Sequence, residues 1–217
     1  YEITEGDWSS DVCSSDLRGD DGRRTGARGP PAGPLMPGRE IGVAIGLPEP
    51  YTSELQGWRE RLGDPAAADI PPHVTLLPPT ELASDDLDDV EEHLRGVAER
   101  HAAFTMHLRG SGTFRPISPV VFVPLVQGIG ECERLEAQVR SGPLLRDVKF
   151  PYHPHVTVAH DLPEPLLDKA FLELASYDAR FQVWGFSLFE KGKDGVWRPQ
   201  RDFPFGMPLP GPVLSEG

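Results

Sequence analysis

The sequence predicts an α+β protein of two similar lobes, and three observations carry that prediction. The tripeptide His-Val-Thr occurs twice, at His73–Thr75 and His155–Thr157, each time followed by an aliphatic residue, Leu76 or Val158. Each copy has a proline-rich approach, Ile70-Pro71-Pro72 and Phe150-Pro151-Tyr152-His153-Pro154. The same order of elements recurs around each copy, with 30 residues from Val43 to His73 and 32 from Val123 to His155. Two motif copies at matching places in matching units form a sharper signal than either alone.

The elements follow from periodicity. Ile41–Leu47 is a short apolar run ended by Pro48 and Pro50, a strand. Leu55, Trp58 and Leu62 fall at helical spacing within 52–62. The 63–72 loop then leads into the first motif strand. Ser84 is placed to cap a helix whose Leu87, Val90, Leu94 and Val97 share one face, with acids early and Arg95 and Arg100 late, as the helix dipole prefers. Phe104, Met106 and Leu108 alternate as in a strand. The pattern then restarts. Val120–Val126 reads as a strand, edge or bulged because of Pro124. Ile129–Arg140 reads as a helix, and the second motif strand follows. Leu166–Leu174 is a further helix, Phe181–Phe189 one strand around Gly185, and Gly195–Arg201 another.

The first 35 residues do not read like the rest. Asp7–Leu17 resembles a translated sequencing-library adapter, and Arg18–Pro37 is rich in Gly, Arg and Pro without periodicity. We expect 1–35 to be disordered and non-native, with a native disordered tail as the alternative. The folded domain is expected over 36–204, with lobes of about 39–112 and 113–203, and a flexible tail over 205–217. Without 1–35 the chain has 27 acidic and 17 basic residues, a net charge of −10. That balance argues against duplex DNA, which calls for a basic surface. Cys132 is then the one remaining cysteine, which precludes an internal disulfide and fits a reducing cytoplasm. No apolar run approaches the ~18–20 residues of a membrane-spanning helix.

On an extended strand the side-chain period is two, so His and Thr of each motif share one face while Val74, Leu76, Val156 and Val158 point into a core. Two imidazoles and two hydroxyls lining one cleft suit phosphoryl chemistry. One imidazole takes a proton from water, the other gives one to the leaving oxygen, and the Thr75 and Thr157 hydroxyls donate to phosphate oxygens. Around them, Arg115 either grips a phosphate or stands as a solvated loop arginine. Phe114 either stacks a base or packs in the core. Tyr152 and His153 lie near enough to the second motif to touch a base or ribose, or serve structure. A metal site built from His153, His155 and His160 is the competing chemistry. It lacks a Cys pair, an HExxH motif or an Asp-rich loop, and a zinc site gives the repeated Thr no task.

The two motifs, His73-Val74-Thr75-Leu76 and His155-Val156-Thr157-Val158, together with Gly112-Thr113-Phe114-Arg115, resemble the 2'-5' RNA ligase-like branch of the 2H phosphoesterase superfamily over roughly Arg39 to Phe203. The resemblance implies two pseudo-twofold-related lobes, each an antiparallel sheet with helices packed outside. The two His-x-Thr strands would line the central cleft. It further implies a metal- and cofactor-free phosphodiesterase that opens 2',3'-cyclic phosphates of RNA ends or small nucleotides to 2'-phosphates, with reversible 2'-5' RNA ligation. His73, Thr75, His155 and Thr157 would be catalytic. The basic residue that members often carry shortly after the second motif is replaced here by His160. A nucleotide- or RNA-end-binding module without turnover and a phosphodiesterase for a non-RNA cyclic phosphate are the alternatives.

Overall fold

Short apolar runs broken by Pro, Gly and charged helices give an antiparallel sheet with helices against it. The computed structural model describes residues 38–83, 86–146 and 150–206. Its elements in chain order are β1 (Arg39–Gly46), α1 (Tyr51–Leu62), β2 (His73–Leu82), α2 (Leu87–Glu99), β3 (Phe104–Arg109), β4 (Gly112–Thr113), β5 (Val120–Gln127), α3 (Ile129–Val139), β6 (His155–His160), α4 (Glu164–Glu173), β7 (Asp178–Val183), β8 (Gly185–Lys191) and β9 (Trp197–Pro204). The expectations for 1–35, for Ser84 as a cap and for 207–217 fall outside the described residues.

The strands form one sheet in the order β7-β3-β5-β6-β2-β1-β8-β9, with β4 paired to β5. The two motif strands are its central neighbours and meet at Val74 opposite Val156. α1 and α4 lie against β6, and α3 lies against β2. The α+β class therefore holds, as one antiparallel sheet with four helices among the described residues, where the expectation was one sheet in each of two lobes.

A cut of the chain at residue 112 does not divide the sheet in the same way. β3, from the first half of the chain, pairs with β5 and β7 beside the second motif. β8 and β9, from the second half, extend the sheet beyond β1 on the first motif's side. The two sides of the sheet are thus built by an exchange of strands between the first and second halves of the chain.

Three smaller differences have local causes. The single strand expected over Phe181–Phe189 is two strands with different partners: β7 ends at Val183 against β3, and β8 begins at Gly185 against β9 and β1, where a Cβ at Gly185 would lie 2.4 Å from the Phe203 carbonyl oxygen. That close approach needs glycine. β5 is interior, not an edge, and its ladders to β3 and β6 carry register shifts. Phe205, expected in a free tail, is docked: its N–H donates to the Trp184 carbonyl, and its ring meets His101, Phe104 and Phe186.

Both motif strands bulge at the same motif position. Val43 pairs with Leu77 and Ala44 with Thr75, so Leu76 is skipped; Val121 pairs with Ala159 and Phe122 with Thr157, so Val158 is skipped. The aliphatic residue after each Thr is the extra one. It lets consecutive residues, Leu76-Leu77 and Val158-Ala159, all be buried where strict alternation would expose one of each pair.

Candidate functional site

Val74, Leu76, Val156 and Val158 are at most 1% exposed and anchor the motif strands in the core. His73, Thr75, His155 and Thr157 are half-buried and alternate with them. Because Val74 lies opposite Val156 in an antiparallel pair, one further residue of register in each direction sets His73 across from Thr157 and Thr75 across from His155. Each motif's histidine is thus matched to the other motif's threonine. The structure brings the four residues expected to be catalytic to one face of the sheet.

The imidazoles are held alike. His73 Nδ1 lies 2.8 Å from the Pro71 carbonyl oxygen, and His155 Nδ1 lies 2.7 Å from the His153 carbonyl oxygen. A carbonyl only accepts, so Nδ1 carries the hydrogen in both rings. In the neutral form Nε2 then bears the lone pair, on the ring edge away from the backbone. The proline-rich approaches supply these two carbonyls, each two residues before its histidine.

Burial lowers the pKa of both. For His73 the bond to Pro71 opposes the shift and the Arg59 charge adds to it. For His155 burial is again the largest cause, the bond to His153 opposes it, and the charges of His153 and His73 push further down, to about 4. The charge of His73 acts on His155, so the two rings lie within electrostatic reach of each other. A phosphate anion between them would reverse this pressure and favour protonation of one ring.

The surrounding residues divide into two groups. The Phe114 ring stands edge-on to His155 at 5.1 Å, and His153 stacks on His155 at 6.0 Å. Phe122, which the sequence did not single out, packs against Phe114 at 4.3 Å and against His155 at 5.0 Å. These rings wall the second motif. Tyr152 and Arg115 face elsewhere. The Tyr152 hydroxyl donates to the Thr75 carbonyl at 2.9 Å, tying the second approach to the first motif strand. The Arg115 guanidinium donates to Glu164 at 2.5 Å and Asp168 at 2.8 Å, both on α4, and to Thr113 at 3.2 Å.

His160 lies at the end of β6, its Nε2 3.3 Å from Asp161. Among the described residues, no three His, Cys, Asp or Glu side chains are grouped to hold a metal. Cys132 is buried and its thiol is pushed up to about 12, which makes it a packing residue. Trp197 packs on Ala44 and Phe189.

The chain is similar to known proteins throughout this region. Residues 47–195 match the model of the 2'-5' RNA ligase superfamily. A Bacillus mycoides protein named as a candidate phosphoesterase is 25% identical over 169 residues, which span 77% of this chain and 97% of that one. Another of the same description from Bacillus cytotoxicus is 29% identical over 123 residues, 57% of this chain and 70% of that one. The fold matches Escherichia coli LigT in complex with 3'-AMP, with a TM-score of 0.57 and 20% identity over 79% of this chain and 100% of that one. It matches a Thermus thermophilus protein with a TM-score of 0.57 and 24% identity over 77% of this chain and 98% of that one. With the paired His-x-Thr strands at the centre of the sheet and a family match over most of the chain, this protein belongs to the 2'-5' RNA ligase superfamily.

Proposed function

We propose that this protein is a metal-independent phosphodiesterase that opens 2',3'-cyclic phosphates at RNA ends or on small nucleotides to 2'-phosphates. The observation that carries the reading is the matched pair of imidazoles, each with Nδ1 bound to a carbonyl and Nε2 left for proton transfer, beside the two motif threonines. One Nε2 takes a proton from water as the water oxygen bonds to phosphorus. The bond from phosphorus to the ribose 3' oxygen breaks, and the other Nε2, protonated, donates to that oxygen. The product is a 2'-phosphate with a free 3'-hydroxyl. The Thr75 and Thr157 hydroxyls donate to the non-bridging oxygens as charge builds there. When a 5'-hydroxyl takes the place of the water, the same steps join 2'-5' ends, and in the reverse direction the two imidazoles exchange roles and cleave such a link back to a cyclic phosphate.

Support for a nucleotide-sized substrate comes from Escherichia coli LigT, whose structures hold 3'-AMP, ATP, NADP+ and phosphate. Phe114 and His153, beside His155, are the rings we assign to the base or ribose. Tyr152 and Arg115, whose polar groups already have protein partners, we assign to holding the approach and the 112–119 loop. We place the activity in the cytoplasm, where the free, buried Cys132 fits a reducing environment.

The test is incubation of the full chain with 2',3'-cyclic AMP and with a short RNA ending in a cyclic phosphate, EDTA present, alongside the His73→Ala/His155→Ala protein. A 2'-phosphate from the wild type alone is expected. Loss of activity in EDTA would restore a metal mechanism. Binding without product, surviving replacement of both histidines, would make the protein a binding module.

A further inference from the structure

Arg59 of α1 and Asp64 of the loop that leads to the first motif form an ion pair that is almost wholly enclosed, at 4% and 5% exposure. Arg59 Nε donates to Asp64 Oδ2 at 3.0 Å, and Nη1 donates to the Ile70 carbonyl at 2.5 Å. Asp64 uses its other oxygen to accept the Ala66 N–H and start the 3-10 turn Pro65–Ala68. A buried pair of this kind contributes little net stability against an apolar pair of the same volume, so its presence calls for another reason. The reason is one residue further along. Ile70, whose carbonyl Arg59 holds, precedes Pro71, whose carbonyl accepts the Nδ1 hydrogen of His73. On the other side of the loop, Trp197 N–H donates to the Asp69 carbonyl, and the Trp197–Ala44–Phe189 cluster packs on Ile70.

We propose that Arg59 is a positioning residue for His73. Clamped by Asp64, it fixes the Ile70 carbonyl, and through the stiff Pro71-Pro72 step it fixes the Pro71 carbonyl that sets the tautomer and aim of the His73 imidazole. The proposal rests on the reading of His73 as an acid/base group and adds to it a residue outside both motifs. It also distinguishes the two halves of the site. The second approach is held by Tyr152 to Thr75 and by the rings of Phe114 and Phe122 on His153. The first is held by a cation whose charge reaches His73.

The experiment reads the His73 ring directly, without substrate. Histidine-labelled full-length protein is studied by nitrogen NMR of the imidazoles, as wild type, as Arg59→Met/Asp64→Leu and as Arg59→Lys. The double change removes both buried charges together, which keeps the fold where Arg59→Ala alone would strand Asp64. Arg59→Lys keeps a cation but cannot reach Asp64 and Ile70 in the fork geometry. Wild type is expected to show His73 with its hydrogen on Nδ1. Both variants, folded by circular dichroism, are expected to show a tautomer mixture at His73 and an unchanged His155. Turnover on 2',3'-cyclic AMP should fall about 10- to 100-fold in kcat with KM little changed, as for a small misplacement of a reacting group. A His73 tautomer identical to wild type in a folded variant would overturn the proposal. Absence of turnover in the wild type would instead overturn the phosphodiesterase reading and leave the NMR result standing.

Discussion

Val74 of β2 lies directly opposite Val156 of β6, and that pairing joins the two halves of the sheet at the centre of the site. Both residues are fully buried, so the register that sets each histidine against the opposite threonine is secured from the core side. Val156→Ala removes buried methyl groups at this point. It is expected to cost about 1–3 kcal/mol of stability and to lower turnover as well. Urea unfolding and kcat together check this; a stability loss with unaltered turnover would uncouple the core pairing from the site.

His73→Ala and His155→Ala should each lower kcat by ~10²–10⁴, the usual worth of a positioned proton-transfer group. The double variant should be barely worse than either single one, because groups acting as a unit are not additive. Both rings are only half-buried and neutral at about pH 8, so melting temperatures there should change little. Retained turnover in either single variant would break the pairing of acid and base.

Thr75→Val and Thr157→Val keep shape and remove the hydroxyl donor. A kcat loss of roughly 10²-fold, with the fold retained, is expected from the loss of a hydrogen bond aimed at developing phosphate charge. Steady-state kinetics at saturating 2',3'-cyclic nucleotide decides; a change confined to KM would make the threonines ground-state binders only.

The acid side of the stability curve should carry the signature of His155. Its folded pKa is about 4, whereas an imidazole in the unfolded chain titrates near ~6.5. Between those values the unfolded chain binds more protons than the folded one. Stability is therefore full above the unfolded value and is lost as pH falls toward the folded one. His155→Gln removes this uptake and should gain on the order of 1 kcal/mol over wild type near pH 5, allowing for the solvent access of the ring. Thermal melts at about pH 5 and pH 8 test it; an equal difference at both pH values would refute it.

Glu164→Gln/Asp168→Asn releases Arg115 from α4. If Arg115 anchors the loop that carries Phe114 against His155, release should raise KM several-fold. A freed phosphate ligand would instead lower KM. The sign of the change in KM for 2',3'-cyclic AMP separates the two roles.

The parts of this molecule set by local pattern were legible in the sequence. The motif strands, the four helices and most other strands follow from spacing alone, and so does the shared face of His73, Thr75, His155 and Thr157. What escaped depends on partners far along the chain. The acids that hold Arg115 lie 49 and 53 residues away, and nothing near Arg115 announces them. β4 has two residues, too few for a period to show. The bulges left a trace that strict alternation overlooks, the adjacent aliphatic pairs Leu76-Leu77 and Val158-Ala159. Arg59 carries no mark of its own in the sequence, because its partners Asp64 and Ile70 are brought to it only by the 64–70 loop.

The exchange of β3 against β8 and β9 has a consequence for how the protein comes into being. A nascent chain presents β1 and β2 early, but β8, which borders β1 on its other side, and β9 beyond it are synthesised last. Until β8 and β9 emerge, one side of β1 offers an unpaired edge, the condition under which partly made sheets stick to one another. The site cannot mature half at a time. Fragments 38–112 and 113–206 should each fail to fold alone, yet recover turnover when co-expressed, as each supplies strands that the other lacks.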